Sequence, residues 1–259
     1  MSIKLFFTYW DSLPANIGFK QFGSAHFLWL LGIAVAITVL LYMYCHSNNK
    51  IQIRIDLITG WTLVCMILVR ACYLIIIDKQ TVYELPLHLC SMAAFLCLIH
   101  VYSKWDWVSQ SIYSLCLPGT LFALFFPDWI IYPAVHFITI EGFCFHGGIV
   151  FYIICQLRTG KIVPNLKKLW KAFFFLAIAA FGVWIFDHVF DANYMFLNWP
   201  PEGSPLDWIA GFMGNPGYLI GYAALVIIIP IIMDVLYDFL ISKRKDFESH
   251  RKTAVRKKD

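Results

Sequence analysis

Charged residues are scarce in this chain. Only 14% of its 259 residues are Asp, Glu, Lys or Arg, whereas 60% are hydrophobic. A soluble domain carries about 25% charged residues, so this composition argues against an ordinary soluble fold and indicates a polytopic membrane protein. A cleavable signal peptide is not expected, because no small-x-small site follows the first apolar run, which begins near Ala25.

Closely spaced cysteines are also missing. The eight cysteines lie in or beside apolar segments, and none forms a Cys-x-x-Cys pair. This distribution is unlike that of a disulfide framework or a zinc site. Most of the cysteines are therefore interpreted as small packing residues. We expect no metal, no other cofactor and no nucleic-acid partner.

The apolar runs predict an all-α polytopic membrane protein with a bundle of seven transmembrane helices. A helix needs about 20 apolar residues to cross the hydrocarbon core. The alternative of six spans would leave the segment with Arg54, Asp56 and Arg70 outside the membrane, but the centre of that segment is too apolar. The predicted spans are 25–46, 52–77, 84–103, 108–127, 134–157, 169–190 and 217–242.

Basic residues are divided unevenly between the two sides of these spans. One side carries only Lys4, Lys20 and Lys79, whereas the other carries sixteen Lys and Arg residues, eight of them in the C-terminal tail. The positive-inside rule then predicts an external N-terminus and a cytoplasmic C-terminus. The predicted localisation is the cell membrane, with multiple passes.

This orientation divides the chain into three predicted parts. Residues 1–24 form an external interfacial segment, 25–242 the transmembrane domain, and 243–259 a basic cytoplasmic tail. The tail is expected to contact anionic lipid at about 1 kcal/mol per basic residue, or simply to set the topology. The segment 191–216 has four prolines and no basic residue, which favours a structured external loop or lid.

Polar side chains concentrate in the half of the spans that this orientation places in the outer leaflet. Such groups are costly in a membrane, so each needs a partner or a function. Arg70 is predicted either to hold a lipid phosphate or to pair with Glu84 or Glu141. Asn193 is predicted either to donate to an oxyanion or to brace the loop. The supporting or substrate-binding candidates are Arg70, Glu84, His88, His136, Glu141, His188 and Asn193.

The stretch YELPLHLCSM, residues 83–92, contains a carboxylate, an imidazole and a thiol. In a helix that begins at Glu84, Glu84 and His88 share a face, whereas His88 and Cys90 lie about 200° apart. Cys90 then needs a base from another helix, and His146 is the best candidate by depth. A Cys–His pair suits nucleophilic acyl transfer.

A metal site is the weaker reading of the same polar residues. It would collect His88, His136, His146 and Glu141 from separate helices, and their spacing is irregular. No metal ligand is therefore assigned.

Four motifs carry a family resemblance. LPLHLC, LFALFFP, FCFHGG and NYMFLNWPP resemble the YwaF-like bacterial membrane proteins, which are relatives of the transmembrane protein 164 acyltransferase family. The resemblance implies a functional Cys and His at Cys90 and His146, and the family's Asn and Met-x-x-x-Pro segment after the sixth span is similar to the stretch with Asn193, Met195 and the following prolines. It also implies a lipid acyltransferase that moves fatty acyl chains between phospholipids through an acyl-cysteine. The fold is similar to that of membrane hydrolases that cleave fatty-acid esters of hydroxy fatty acids.

The leading function is therefore acyl transfer between membrane phospholipids and lysophospholipids in the outer leaflet. One alternative is a transporter or binding protein for a lipid or small solute that uses the same polar cluster. Transporters usually show internal repeats, and none is apparent here. Further alternatives are a lipid ester hydrolase and a receptor or scaffold that acts through the basic tail. The sequence does not indicate an oligomeric state.

Overall fold

The computed structural model describes residues 3–256, and the side chains of residues 5–240. The described part of the chain is all-helical and contains no strand. The predicted lipid contact of the basic tail lies outside the residues with described side chains. The α-helices are α1 (Ile3–Phe6), α2 (Ser24–Cys45), α3 (Asn49–Ile76), α4 (Leu89–Ser103), α5 (Asp106–Ser111), α6 (Leu117–Phe125), α7 (Phe137–Arg158), α8 (Leu169–Phe190), α9 (Pro205–Met213) and α10 (Tyr218–Arg256).

Several of these helices suit a bilayer. A further apolar helix, α4, has 15 residues and is shorter than the roughly 20 that a perpendicular span needs. The structure thus has the helices of a multi-pass membrane protein, and the count of seven spans and the sidedness of the ends stay predictions. Within the described residues, six segments are long and apolar enough to cross a membrane: Ser24–Cys45, Asn49–Ile76, Asp106–Ile131, Phe137–Arg158, Leu166–Phe190 and Tyr218–Leu240.

The start of α4 differs from the predicted start at residue 84. Val82–Glu84 form one 3-10 turn, and Leu85 and His88 have extended backbones with ψ of 152° and 151°. Pro86 explains the difference, because the residue before a proline is disfavoured in the α conformation. The predicted helical phase of Glu84, His88 and Cys90 was therefore wrong, since only Cys90 lies in the helix.

The helical segment from Asp106 to Phe125 is interrupted by a π-helical turn, Ile112–Cys116. Pro118 provides the reason. Its nitrogen cannot donate to the carbonyl of Ser114, and its ring crowds that carbonyl. The wider turn relieves this conflict and lets α6 continue towards Phe125.

Segments that are distant in sequence meet at one end of the bundle, which we call the cap end and define as residues 5–23, 77–88, 126–136 and 191–217. The hydroxyl of Tyr194 donates to the carbonyl of Val82 at 2.7 Å, and the N–H of Phe19 donates to the carbonyl of Ile130 at 3.0 Å. These bonds cross-link the loops, so the cap end is a structured layer.

The opposite end is closed by a buried ion pair. Asp56 of α3 accepts hydrogen bonds from Tyr44 of α2 at 2.9 Å, from Gln156 of α7 at 2.6 Å and from Lys161 at 2.8 Å. A buried carboxylate needs such partners. Because these bonds join three helices, this network is interpreted as a structural clamp.

Candidate functional site

Cys90 is the second residue of α4 and is partly buried. On the same helix, Ala93 and Ala94 are fully buried, so small side chains let neighbouring helices approach closely. The Thr120 hydroxyl of α6 lies beside the thiol. The two groups do not complete a hydrogen bond, since Thr120 Oγ1 has no hydrogen-bond partner among the described residues.

His146 lies in α7 and is 9% exposed. Its Nδ1 is 2.6 Å from the carbonyl oxygen of Gly142, one turn earlier. A carbonyl only accepts hydrogen bonds, so Nδ1 carries the proton and Nε2 keeps a free lone pair. Nε2 makes no hydrogen bond with any described residue. The ring is therefore held in the tautomer that a general base requires.

Trp129 fixes the ring of His146 from one side. The two rings are stacked with centroids 5.1 Å apart and an interplanar angle of 25°. Gly142 makes room for this arrangement, because a Cβ at that position would lie 2.9 Å from Cε2 of Trp129. The absence of a side chain at Gly142 thus lets the indole of Trp129 pack closely beside the imidazole of His146.

We expect Gly142→Ala to push Trp129 away from His146. Overpacking of this kind costs about 1–3 kcal/mol, so the free energy of unfolding should fall by that amount in a detergent-solubilised denaturation experiment. Gly182→Ala is the matched control, because nothing lies within 4 Å of a Cβ added there. Equal stability of the two variants would contradict the proposed packing.

Cys90 and His146 are not joined by a hydrogen bond in the described structure. Both lie within electrostatic range of the same carboxylate, Asp128. Such bonds are often incomplete in a protein without substrate. Both also lie next to the cap end, because Cys90 lies two residues after His88 and His146 packs against Trp129.

Asp128 was missed by the sequence reasoning. It begins a 3-10 turn directly after Pro127, at the end of the motif LFALFFP. Its carboxylate has no hydrogen bond or salt bridge to another described residue. The usable signal was its place in a cap-end loop beside a motif that was already under consideration.

Arg70 forms the centre of a second polar group. Its guanidinium is 3.0 Å from Oε2 of Glu84 and 3.3 Å from Oε2 of Glu141. Glu84 also accepts a hydrogen bond of 2.6 Å from the hydroxyl of Tyr9, and burial together with this bond raises the pKa of Tyr9. Of the two readings of Arg70, the structure shows the ion pairs, and both carboxylates take part.

His88 connects α4 to the loop that follows α8. Its Nδ1 accepts a hydrogen bond of 3.3 Å from the N–H of Met195, and its ring packs against Tyr194 and Phe196. Burial lowers the pKa of His88, so its imidazole is neutral near pH 7. The hydroxyl of Tyr194 also accepts from the N–H of Leu85 at 2.7 Å, which holds the loop before α4 in place.

The remaining predicted site residues bond to the backbone. The two nitrogens of His136 bond to the carbonyl of Thr8 and to the N–H of Ile138. His188 is exposed, and its Nδ1 bonds to the carbonyl of Trp184. The Asn193 side chain bonds to the backbone of Asn198 and Trp199 and braces its own loop.

No group of three or more His, Cys, Asp or Glu side chains in the described structure can hold a metal ion. His136 belongs to the set that the metal alternative would use, but both of its ring nitrogens are bonded to the backbone.

No curated protein and no solved structure matches the chain. The model of the TMEM164 family matches residues 21–234, which include Cys90, Asp128 and His146 as well as most of the cap end. This match covers most of the chain, and the protein belongs to the TMEM164 family.

Proposed function

We propose that this protein is a membrane lipid acyltransferase that moves a fatty acyl chain between phospholipids and lysophospholipids. Cys90 is the nucleophile and His146 is the general base. The observation that carries the proposal is the hydrogen bond from Nδ1 of His146 to Gly142, which leaves Nε2 free to accept a proton in the region that also contains the thiol.

The proposed reaction has two halves. The sulfur of Cys90 attacks the carbonyl carbon of a phospholipid ester while Nε2 of His146 takes the thiol proton. The carbon–oxygen bond then breaks, the proton passes to the departing lysophospholipid, and an acyl-thioester remains on Cys90. In the second half, the hydroxyl of an acceptor lysophospholipid gives its proton to His146 and attacks the thioester, which returns the acyl chain to oxygen and the proton to sulfur.

Two features of the surroundings support this chemistry. The first N–H groups of α4 lack intrahelical acceptors because they begin the helix, and the residue before it provides no side-chain cap, so they can donate to the oxyanion beside Cys90. The carboxylate of Asp128 interacts with His146, and its negative charge stabilises the imidazolium formed during attack. Asp128 is therefore proposed as a positioning and electrostatic residue.

In this proposal the site lies in the half of the bilayer beside the cap end. The charge distribution predicts that this half is the outer leaflet of the cell membrane. Its partners are the membrane phospholipids themselves. The basic tail is proposed to hold the cytoplasmic end against anionic lipid.

The test is acyl exchange by the wild-type protein in liposomes. The liposomes contain a phospholipid with an isotope-labelled acyl chain and an unlabelled lysophospholipid of a different headgroup. Transfer of the label to the second headgroup, together with a hydroxylamine-sensitive acyl adduct on the protein, is expected by mass spectrometry. Label in free fatty acid alone would indicate a hydrolase instead. The absence of all three signals (transfer, fatty-acid release and adduct) would overturn the enzymatic proposal and favour a transporter or binding protein.

A further inference from the structure

A cavity of about 430 Å³ lies at the cap end. It is distinct from a larger apolar groove between α3 and α7, which contains Glu141. The walls of the cap-end cavity combine aromatic rings with carboxylates. They consist of Tyr83, His88, Asp128, Asp191, Ala192, Asn193, Tyr194, Phe196 and Trp199.

The charge of this cavity is negative. Asp128 and Asp191 are exposed, and neither carboxylate makes a hydrogen bond or salt bridge with another described residue. None of the described residues that line the cavity is Lys or Arg. The nearby Arg70 is already paired with Glu84 and Glu141. An anionic group such as a phosphate would therefore meet uncompensated negative charge here, whereas a cation would find it complementary.

The aromatic residues in the walls indicate the chemical class of the cation that the cavity would bind. Tyr83 is 57% exposed and Trp199 is 46% exposed, and the rings of Tyr194 and Phe196 complete the lining. A small metal ion prefers several oxygen ligands at close range, and the described residues include no group of three or more His, Cys, Asp or Glu side chains that could hold one. The faces of Trp and Tyr instead attract ammonium and quaternary ammonium groups, which are bound in aromatic cages.

The cavity is held in shape by its neighbours. Met195 and Phe196 have left-handed backbones with φ of 52° and 57°, a conformation that is costly without glycine. The hydroxyl of Tyr218 donates to the carbonyl of Phe196 at 2.7 Å, and His88 accepts from Met195. Contacts from α10 and from the residue before α4 thus maintain the loop, so the cavity walls are preorganised.

We propose that the cap-end cavity binds the ammonium group of a zwitterionic lipid headgroup. The role of this lipid as a substrate rests on the proposed function. The cavity is connected to that site through His88, which lines the cavity and directly precedes α4, the helix that carries Cys90. A lipid source is favoured over a soluble amine because the same loop contains α9. The Trp208 and Phe212 side chains of α9 are exposed, as expected for a helix at a membrane interface.

The test measures lipid retention and does not depend on turnover. The full-length protein is purified in detergent with equimolar phosphatidylcholine and phosphatidylglycerol that have identical acyl chains, and bound lipids are counted by native mass spectrometry. Wild type should retain the choline lipid at least about fivefold over the glycerol lipid, the factor that corresponds to about 1 kcal/mol of cation–π attraction. Trp199→Ala and Asp191→Asn should bring this ratio close to one.

Two matched variants serve as controls. Trp170→Ala removes another exposed tryptophan outside the cavity, and Glu202→Gln removes an exposed carboxylate of the same loop that does not line it. Both should keep the wild-type ratio. A wild-type ratio of one, or an unchanged ratio in both cavity variants, would overturn the inference.

A second arm separates the two sources of ammonium. Choline chloride is titrated into the same protein while tryptophan fluorescence is followed in wild type and in Trp199→Ala. A Trp199-dependent signal that saturates at micromolar choline would assign the cavity to a soluble amine and overturn the lipid assignment, whereas no saturation below the millimolar range is expected. Headgroup selectivity without acyl exchange would refute the proposed enzyme and leave the cavity assignment standing.

Discussion

Cys90→Ala should abolish the hydroxylamine-sensitive acyl adduct and reduce acyl exchange by at least about 10³-fold. Loss of a nucleophile in a catalytic unit has effects of this size, because no other group forms the covalent intermediate. The adduct is measured by intact mass of the protein after incubation with phospholipid, and the exchange by transfer of a labelled acyl chain in liposomes.

Cys45→Ala is the control for this experiment, since Cys45 is also a free cysteine but is exposed at the opposite end of the bundle. It should keep both the adduct and the exchange. Thermal unfolding of both variants checks that the fold is intact. A folded Cys90→Ala protein that still carries one acyl group would show that a different residue is the nucleophile, and Thr120, whose hydroxyl lies beside the thiol, would be the next to test.

His146→Gln should slow adduct formation by about 10²–10⁴-fold, the range that general acid–base catalysis contributes. The amide of glutamine is polar and fits a similar volume, but it cannot take the proton of Cys90. The nucleophile remains in this variant, so the adduct should still appear during long incubation. The measurement is the initial rate of adduct formation at saturating phospholipid.

His188→Gln is a closely matched control for that substitution. His188 also donates from Nδ1 to a carbonyl one turn earlier in its helix, at 2.9 Å from Trp184, but its ring is exposed and lies away from the thiol. Its initial rate should stay within about twofold of wild type, because it does not contact the reacting groups. Equal rates for wild type and His146→Gln, with both proteins folded, would exclude His146 as the base.

The sequence predicted most helices because their signal is local. Apolar runs and terminal polar residues placed six of the seven predicted spans close to the observed helices. The exception was α4, where Pro86 moved the start to Leu89. The local effect of Pro86 on the backbone of Leu85 outweighed the apolar character of the run, which alone had suggested a start at residue 84.

The candidate site was only partly predictable. Cys90 and His146 were predicted from a thiol and an imidazole at matching depths and from a family resemblance. Neither argument requires coordinates, and their roles stay predictions. Asp128 could not be ranked in this way, because a carboxylate in a loop is ordinary until the loop is seen to pack against the helix that carries His146. The same holds for Trp129, which lies beside His146 only because Gly142 leaves room for its ring.

By itself, the sequence determined that the described chain forms apolar helices suited to a membrane and that a few polar side chains lie among them. These properties follow from composition and from the hydrophobic run lengths, which are set residue by residue. Only the tertiary structure decided that Arg70 pairs with two carboxylates, that His146 keeps Nε2 free, and that aromatic rings and aspartates from three distant loops enclose one cavity. The Arg70 pairs and the cavity depend on contacts between residues far apart in the chain, and the His146 ring is held by the stacked ring of Trp129 from another loop, none of which a local pattern specifies.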